Sequence, residues 1–201
     1  MDKKSYSLGM SMAHNLLQSK ITELVIEDYM KGFTATFTGA KPEISYEEAA
    51  DILDRFFAEL EADQKAEQSE IADAMKKEGQ EFLSANALKS DVTTLPSGLQ
   101  YKVIKEGSGR KPSRSDRVLC HYEGRFINGQ IFDSSYKRNQ PATFGLTQVI
   151  SGWTEVLQLM KEGSLWEVYI PYNLAYGEDG AQGAIPPCAT LIFKIELLKV
   201  L

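Results

Sequence analysis

Tyr122-Glu-Gly124, Gly129-Gln-Ile-Phe132-Asp133-Ser134-Ser135, Val149-Ile150-Ser-Gly152-Trp153, Ile170-Pro171 and Ala175-Tyr176-Gly177 follow one another in the C-terminal half of the chain. Aromatic and aliphatic side chains recur there beside one well-placed carboxylate, Asp133. The stretch holds no nucleophile–base pair, no metal-ligand cluster and no phosphate loop. Residues of this kind grip an apolar group and act on it by shape and desolvation. Such chemistry suits rotation about a bond better than its cleavage.

The flanking sequence reads as sheet with one short helix. Leu99, Tyr101 and Val103 alternate with polar neighbours, as do Val118, Cys120, Tyr122, Gly124 and Phe126. Asn128-Gly129 between Phe126 and Ile131 is the strongest short hairpin signal. Leu165 to Pro171 and Thr190 to Val200 are further strands, the latter with Leu191, Phe193, Ile195 and Leu197 on one face. Trp153, Val156, Leu157 and Met160 have helical spacing, and Gly163 follows them. Strand, hairpin, short helix, strand, long loop and strand make an α+β arrangement, most economically one antiparallel sheet wrapped around one helix. The loop Tyr172 to Ala189 is Gly- and Pro-rich, and loops of that length are often functional. With Tyr176 and Ile185 inside it, it reads as a flap over a pocket.

The first ninety residues are helical. Tyr6, Met10, Ala13 and Leu17 share a face between Ser5 and Gln18. Ile26, Met30, Phe33 and Phe37 form an apolar stripe over Glu23 to Thr38, which Gly39 and Pro42 end. Ser45-Tyr-Glu-Glu48 is a capping box, and no Gly follows until Gly79. The stripe Ala49, Leu53, Phe56, Phe57 and Leu60 gives way to a charged background, so one helix of about forty residues, about 60 Å long, is expected. Two short helices and half of a long one make a thin core. Tyr29, Phe33, Phe37, Phe56 and Phe57 are many aromatics for it to cover, and small cores of this kind often oligomerise. Ser84 to Pro96 breaks the helical pattern. The domains expected are residues 1–88, a helical module with a long connecting helix, a linker at 89–96, and 97–201.

Composition narrows the class. The chain has 201 residues, 43% hydrophobic and 25% charged, as in ordinary soluble proteins. Its apolar runs are too short to span a bilayer. Met1-Asp-Lys-Lys-Ser-Tyr-Ser lacks an apolar signal core, so the expected compartment is the cytoplasm, or the periplasm if a signal peptide has been removed. Residues 1–88 hold 9 Lys/Arg against 17 Asp/Glu, and residues 89–201 hold 13 against 11, so −8 and +2 make up the net −6. The acidic half is mixed in sign and reads as solvated helix. The basic cluster Arg110, Lys111, Arg114 and Arg117 is short and lacks interleaved aromatics, so no nucleic-acid partner is expected. Cys120 and Cys188 read as small buried hydrophobes, His121 as structural, and His14 as a surface or interface residue. No metal or other cofactor is expected.

The order Tyr-x-Gly, Phe-Asp-Ser-Ser, Val-Ile-x-Gly-Trp, Ala-Tyr-Gly and Ile-Pro-Pro-x-Ala-Thr-Leu resembles the FKBP family of peptidyl-prolyl isomerases, over roughly Leu95 to Leu201. Met1 to Ala87 resembles the helical dimerisation domain of the family's bacterial two-domain members, the FkpA and macrophage-infectivity-potentiator type. The resemblance implies an FKBP-like sheet domain after an all-α dimerisation domain. It also implies isomerase activity on Xaa-Pro bonds in peptides and unfolded protein clients, and a homodimer joined through residues 1–60. By the same resemblance Trp153 is the pocket floor, with Tyr122, Phe132, Val149, Ile150 and Phe193 as walls; Ile185, in the flap, is a further substrate-binding candidate. Tyr176 and the Ile150 N–H would bond substrate carbonyls, and Asp133 would face the turning carbonyl without acting as acid or base. The catalytic set expected is therefore Tyr122, Phe132, Asp133 and Tyr176. Two departures weaken the expected affinity for rapamycin-type macrolides: Ala142 stands where drug-binding members have an aromatic wall, and Ala181-Gln182 where they carry a larger pair. The competing reading is a binding or holdase module whose turnover is incidental.

Overall fold

The computed structural model describes residues 1–181 and 183–201, so the Gln182 half of the Ala181-Gln182 pair lies outside the described residues. The chain forms two compact units, Met1–Leu60 and Glu61–Leu201.

In the first unit, α1 (Lys3–Gln18) starts at Asp2, whose carboxylate accepts the Ser5 N–H at 2.9 Å. α2 (Ile26–Thr38) ends at Gly39 in the left-handed region, φ 72°. It begins later than the expected Glu23. Its N-cap, Val25, makes no side-chain cap bond, and Glu27 and Asp28 supply the first-turn acids that favour a helix N-terminus. α3 (Tyr46–Asn86) is one helix of 41 residues, and the Ser45 hydroxyl accepts the Glu48 N–H at 3.1 Å. None of residues 1–60 is buried within the single chain. Phe37 is 80% exposed and Phe57 50%, and Leu8, Met12, Leu16, Ile26, Met30 and Phe33 help line an apolar groove of about 460 Å³.

In the second unit, the rest of α3 is fastened to the sheet. The Asn86 amide donates to Gln100 Oε1 at 2.9 Å, the Gln100 amide donates to the Leu83 carbonyl at 2.8 Å, and Phe82 packs on Tyr169 with ring centroids 5.8 Å apart. β1 (Thr93–Thr94), inside the expected linker, pairs with β2 (Gln100–Lys105). β3 (Arg117–Phe126), β4 (Ile131–Ser134), β5 (Ala142–Gly145), β6 (Leu165–Ile170) and β7 (Leu191–Val200) complete an antiparallel sheet of order β1-β2-β6-β7-β3-β4, with β5 also on β3. Helix gives way to sheet between Asn86 and Thr93, while the compact units part within α3, after Leu60.

The Asn128-Gly129 turn joins β3 to β4 with Gly129 at φ 86°, a conformation glycine adopts without a side-chain clash. α4 (Ser151–Leu157) buries Trp153, Val156 and Leu157 against the sheet residues Val168, Ile170, Phe193 and Ile195. Gly152 permits the approach, because a side chain there would meet Ile170 Cγ2 at 2.6 Å. Both cysteines are free and fully buried. Burial pushes the Cys120 thiol up to about 12, which leaves it an inert hydrophobe. No described helix is long and apolar enough to cross a membrane.

Candidate active site

A pocket of about 290 Å³ opens where β3, β4, β7, α4 and the flap converge. Its lining is Tyr122, Phe132, Asp133, Phe144, Gln148, Val149, Ile150, Trp153, Tyr176 and Phe193. Strand alternation supplies the walls: Tyr122 and Gly124 point to one face of β3, and Phe193 pairs across to Gly124. Gly124 makes room for both phenylalanine walls. A Cβ there would lie 2.6 Å from Phe132 Cζ and 2.7 Å from Phe193 Cε1.

Trp153 is 4% exposed. Tyr122, Phe144 and Phe193 meet its indole edge-to-face with centroids 5.4, 5.3 and 5.3 Å away. That quadrupolar packing favours a T-shaped ring cluster. The Trp153 Nε1–H has no acceptor among the described residues. Ile150 is the N-cap of α4, and a backbone N–H at that position lies outside the helix's own hydrogen bonds.

One polar network edges the pocket. The Tyr122 hydroxyl donates to Asp133 Oδ2 at 2.5 Å. Arg138 donates to Asp133 Oδ1 and, at 2.9 Å, to the Tyr122 hydroxyl. Burial disfavours the charged form of Asp133, but the bonds from Arg138 and Tyr122 outweigh it and hold the carboxyl below its usual range. Burial, then the bond to Asp133, raises the Tyr122 phenol. Neither residue is poised to exchange a proton near neutral pH, and the pocket lining contains no histidine or cysteine.

The sign of the pH dependence follows. Asp133 is more acidic folded than unfolded. Its contribution is complete above the ordinary value of 3.8 and is lost as pH falls through the lowered one. Peptide isomerisation should therefore be flat from about pH 5 to pH 8 and decline only on acidification below about pH 4. A pH profile of kcat/KM checks this; a bell-shaped curve centred near neutrality would point to acid–base chemistry.

Eight of the nine expected site residues line the pocket; Ile185 does not. It is buried in the flap, bonded in both directions to Ala181 at 2.9 Å, and lines a separate cavity with Gln68, Asp179 and Pro186. Its place in the flap with Tyr176 suggested the pocket, whereas its side chain is part of the buried core cluster of the sheet domain. Phe144 and Gln148 line the pocket without having been singled out, and Arg138 completes the network. Phe144 sits two residues after Ala142, on a strand too short to read by alternation. Arg138 follows Asp133 by five positions across a turn in which Asn139 is left-handed, φ 51°. Among the described residues no group of His, Cys, Asp or Glu could hold a metal ion.

Comparison with known proteins assigns the architecture. Residues 108–198 match the family model described as FKBP-type peptidyl-prolyl cis-trans isomerase, and residues 1–103 match the domain amino terminal to it. The chain is 45% identical over 199 residues to the outer membrane protein MIP of Legionella longbeachae, spanning 99% of this chain and 85% of that one. The chain belongs to the FKBP family of peptidyl-prolyl isomerases. A 22 kDa FKBP-type isomerase of Escherichia coli K12 is 41% identical over 98% of this chain and 94% of its own. The crystal structure of FkpA from Escherichia coli superposes with a TM-score of 0.75 at 35% identity, over 98% of this chain and 95% of that one. The protein is an FKBP-type peptidyl-prolyl cis-trans isomerase built of a helical N-terminal domain and an FKBP sheet domain.

Proposed function

We propose that this isomerase turns Xaa-Pro bonds in unfolded protein clients, as a homodimer joined through residues 1–60. Tyr122, Phe132, Asp133 and Tyr176 surround the turning bond, and Val149, Ile150, Trp153 and Phe193 hold the proline ring. The observation that carries the catalytic part is an apolar pocket whose one carboxylate is neutralised by Arg138. Rotation about the amide faces a barrier of about 18–20 kcal/mol set by resonance. Water favours the charge-separated planar form. An apolar pocket withdraws that solvation and grips the ring, while Tyr176 and the Ile150 N–H steady the flanking carbonyls. The twisted state is then bound better than either planar one. Lowering the barrier by about 5 kcal/mol would speed exchange roughly 5,000-fold.

Asp133→Leu should lower kcat/KM about tenfold, a loss of about 1.4 kcal/mol, because the field beside the turning carbonyl changes. Phe132→Tyr should act in the same direction, since it adds an oxygen at Cζ, the atom nearest the empty side of Gly124. Both should melt within a few degrees of wild type. Peptide-exchange kinetics beside thermal melts tests this; full activity in both variants would place the reaction elsewhere.

Macrolide binding should be weak. Ala142 on β5 does not line the pocket, so Phe144 is the one ring that strand contributes to it. A missing aromatic contact costs on the order of 1–3 kcal/mol, so calorimetry with rapamycin should give a Kd roughly ten- to a hundredfold above that of small eukaryotic FKBP domains. Equal affinity would make the missing wall irrelevant.

The dimer is supported by the absence of any buried residue in the first unit. A second reading, a holdase, draws on the same exposed apolar groove. Asp133→Leu separates the two: a holdase would still suppress client aggregation, while a pure isomerase would not. For the compartment we favour the cytoplasm, in keeping with two unpaired cysteines. Cell fractionation decides it, and recovery with periplasmic markers would overturn the assignment.

A further inference from the structure

The flap that carries Tyr176 is gripped at both ends by the second unit's own stretch of α3. Near its start, Lys76 Nζ lies 3.1 Å from Glu178 Oε1 and 5.8 Å from the Tyr172 ring centroid. Near its end, Met75 and Glu78 line a cavity with Pro186, Ala189 and Thr190. Gly79 is buried where the helix passes Thr190: a Cβ added there would collide with Thr190 Oγ1 and sit 3.2 Å from its Cβ. Thr190 is itself 4% exposed and has little room to yield.

Inside the flap, the Cys188 N–H donates to the Gly177 carbonyl and the Gly177 N–H to the Tyr172 carbonyl, each at 2.9 Å. Tyr176 is thereby tied to both gripped ends. Cys188 is also held at φ 57°, in the left-handed region that non-glycine residues occupy at a cost. A strained conformation persists only where its surroundings enforce it, and α3 is part of those surroundings. Lys76 is partly exposed and Glu178 exposed, so their ion pair alone is a weak lever. The close approach at Gly79 is the stronger one.

We propose that residues 68–79 of α3 position the catalytic flap, with Lys76, Gly79 and Thr190 acting through it on Tyr176. The inference rests on the role given above to Tyr176. It makes turnover depend on a helix that touches no substrate. Gly79→Ala is the informative change, since alanine strengthens an isolated helix by about 1 kcal/mol. Loss of activity could not then come from a weakened helix.

The test uses the full chain. Two-dimensional exchange NMR on an Ala-Leu-Pro-Phe peptide gives kcat and KM, and amide hydrogen exchange is read at Ala181, Ile185 and Cys188. Gly79→Ala should raise KM about fivefold and speed exchange of the flap amides about tenfold, while β3 and β7 amides stay protected. Adding Thr190→Ala, which removes the colliding oxygen, should restore both readouts. A merely structural glycine would lower the melting temperature and leave KM and the flap amides alone. A folded Gly79→Ala protein with wild-type KM and flap exchange overturns the proposal. If that variant does not fold, Lys76→Met decides on the same readouts, with smaller shifts in the same direction expected and none overturning it. Wild-type turnover is measured alongside: its absence would remove the isomerase reading, while flap exchange still reports on the grip.

Discussion

Gly124→Val should lower kcat/KM for a proline peptide at least tenfold while the protein still folds. The valine Cβ would fall 2.6 Å from Phe132 and 2.7 Å from Phe193. These rings are adjoining walls of the pocket, in edge-to-face contact with centroids 5.7 Å apart. Neither can retreat freely, since Phe132 also packs on Phe126 at 5.0 Å and Phe193 on Trp153 at 5.3 Å. Overpacking of this kind costs about 1–3 kcal/mol of stability, partly offset by the better strand propensity of valine. The rings must tilt into the cavity, so the change falls on the space that would receive the proline. A loss of about 1.4 kcal/mol in transition-state binding is already tenfold. Kinetics with a melt and an HSQC spectrum would separate the effects; a folded variant with wild-type turnover would mean that the Phe132–Phe193 corner is not part of the binding space.

Phe33→Glu combined with Phe37→Glu should convert the proposed dimer to monomer. The two rings stack at 5.5 Å on one face of α2, and neither is buried in the single chain. Their replacement therefore removes little from a protomer and much from an interface. Each phenylalanine fully buried contributes about 1.5–3 kcal/mol, so the pair is worth about 3–6 kcal/mol, or roughly two to four orders of magnitude in Kd. Light scattering at tens of micromolar should show a dimer for wild type and a monomer for the variant. Peptide turnover should be unchanged, because the pocket lies in the other unit. Refolding of a proline-limited protein should slow, since a client held by one protomer meets the second at high effective concentration. A monomeric wild type would rule out the assembly. Equal refolding rates would leave it no part in catalysis.

Much of the sheet domain was legible because its signals are local. Asn128-Gly129 dictates its hairpin through glycine's freedom at positive φ, and alternation along β3 and β7 announces which side chains turn inward. The Ser45 cap and the glycine-free run behind it announce α3. What stayed hidden depends on partners distant in sequence. β5 has four residues, Ala-Thr-Phe-Gly, and exists because β3 pairs with it from Arg117 to Cys120. Arg138 reads as a loop cation until the turn at Asn139 brings it over Tyr122 and Asp133. Ile185 carries the chemistry of a pocket wall, yet it is buried in the core cluster and does not line the pocket. Gly79 reads as a tolerated flaw in a helix, and only Thr190, more than a hundred residues on, gives it a purpose.

On the function proposed, proline is turned in the cavity above Trp153. Exchange NMR on an Ala-Leu-Pro-Phe peptide with the full chain, following the Trp153 indole N–H resonance in the same sample, tests it most directly. Catalysed cis–trans exchange together with a peptide-dependent shift of that resonance is the predicted result. Exchange at the uncatalysed rate, or catalysis with the Trp153 resonance unmoved, would contradict it.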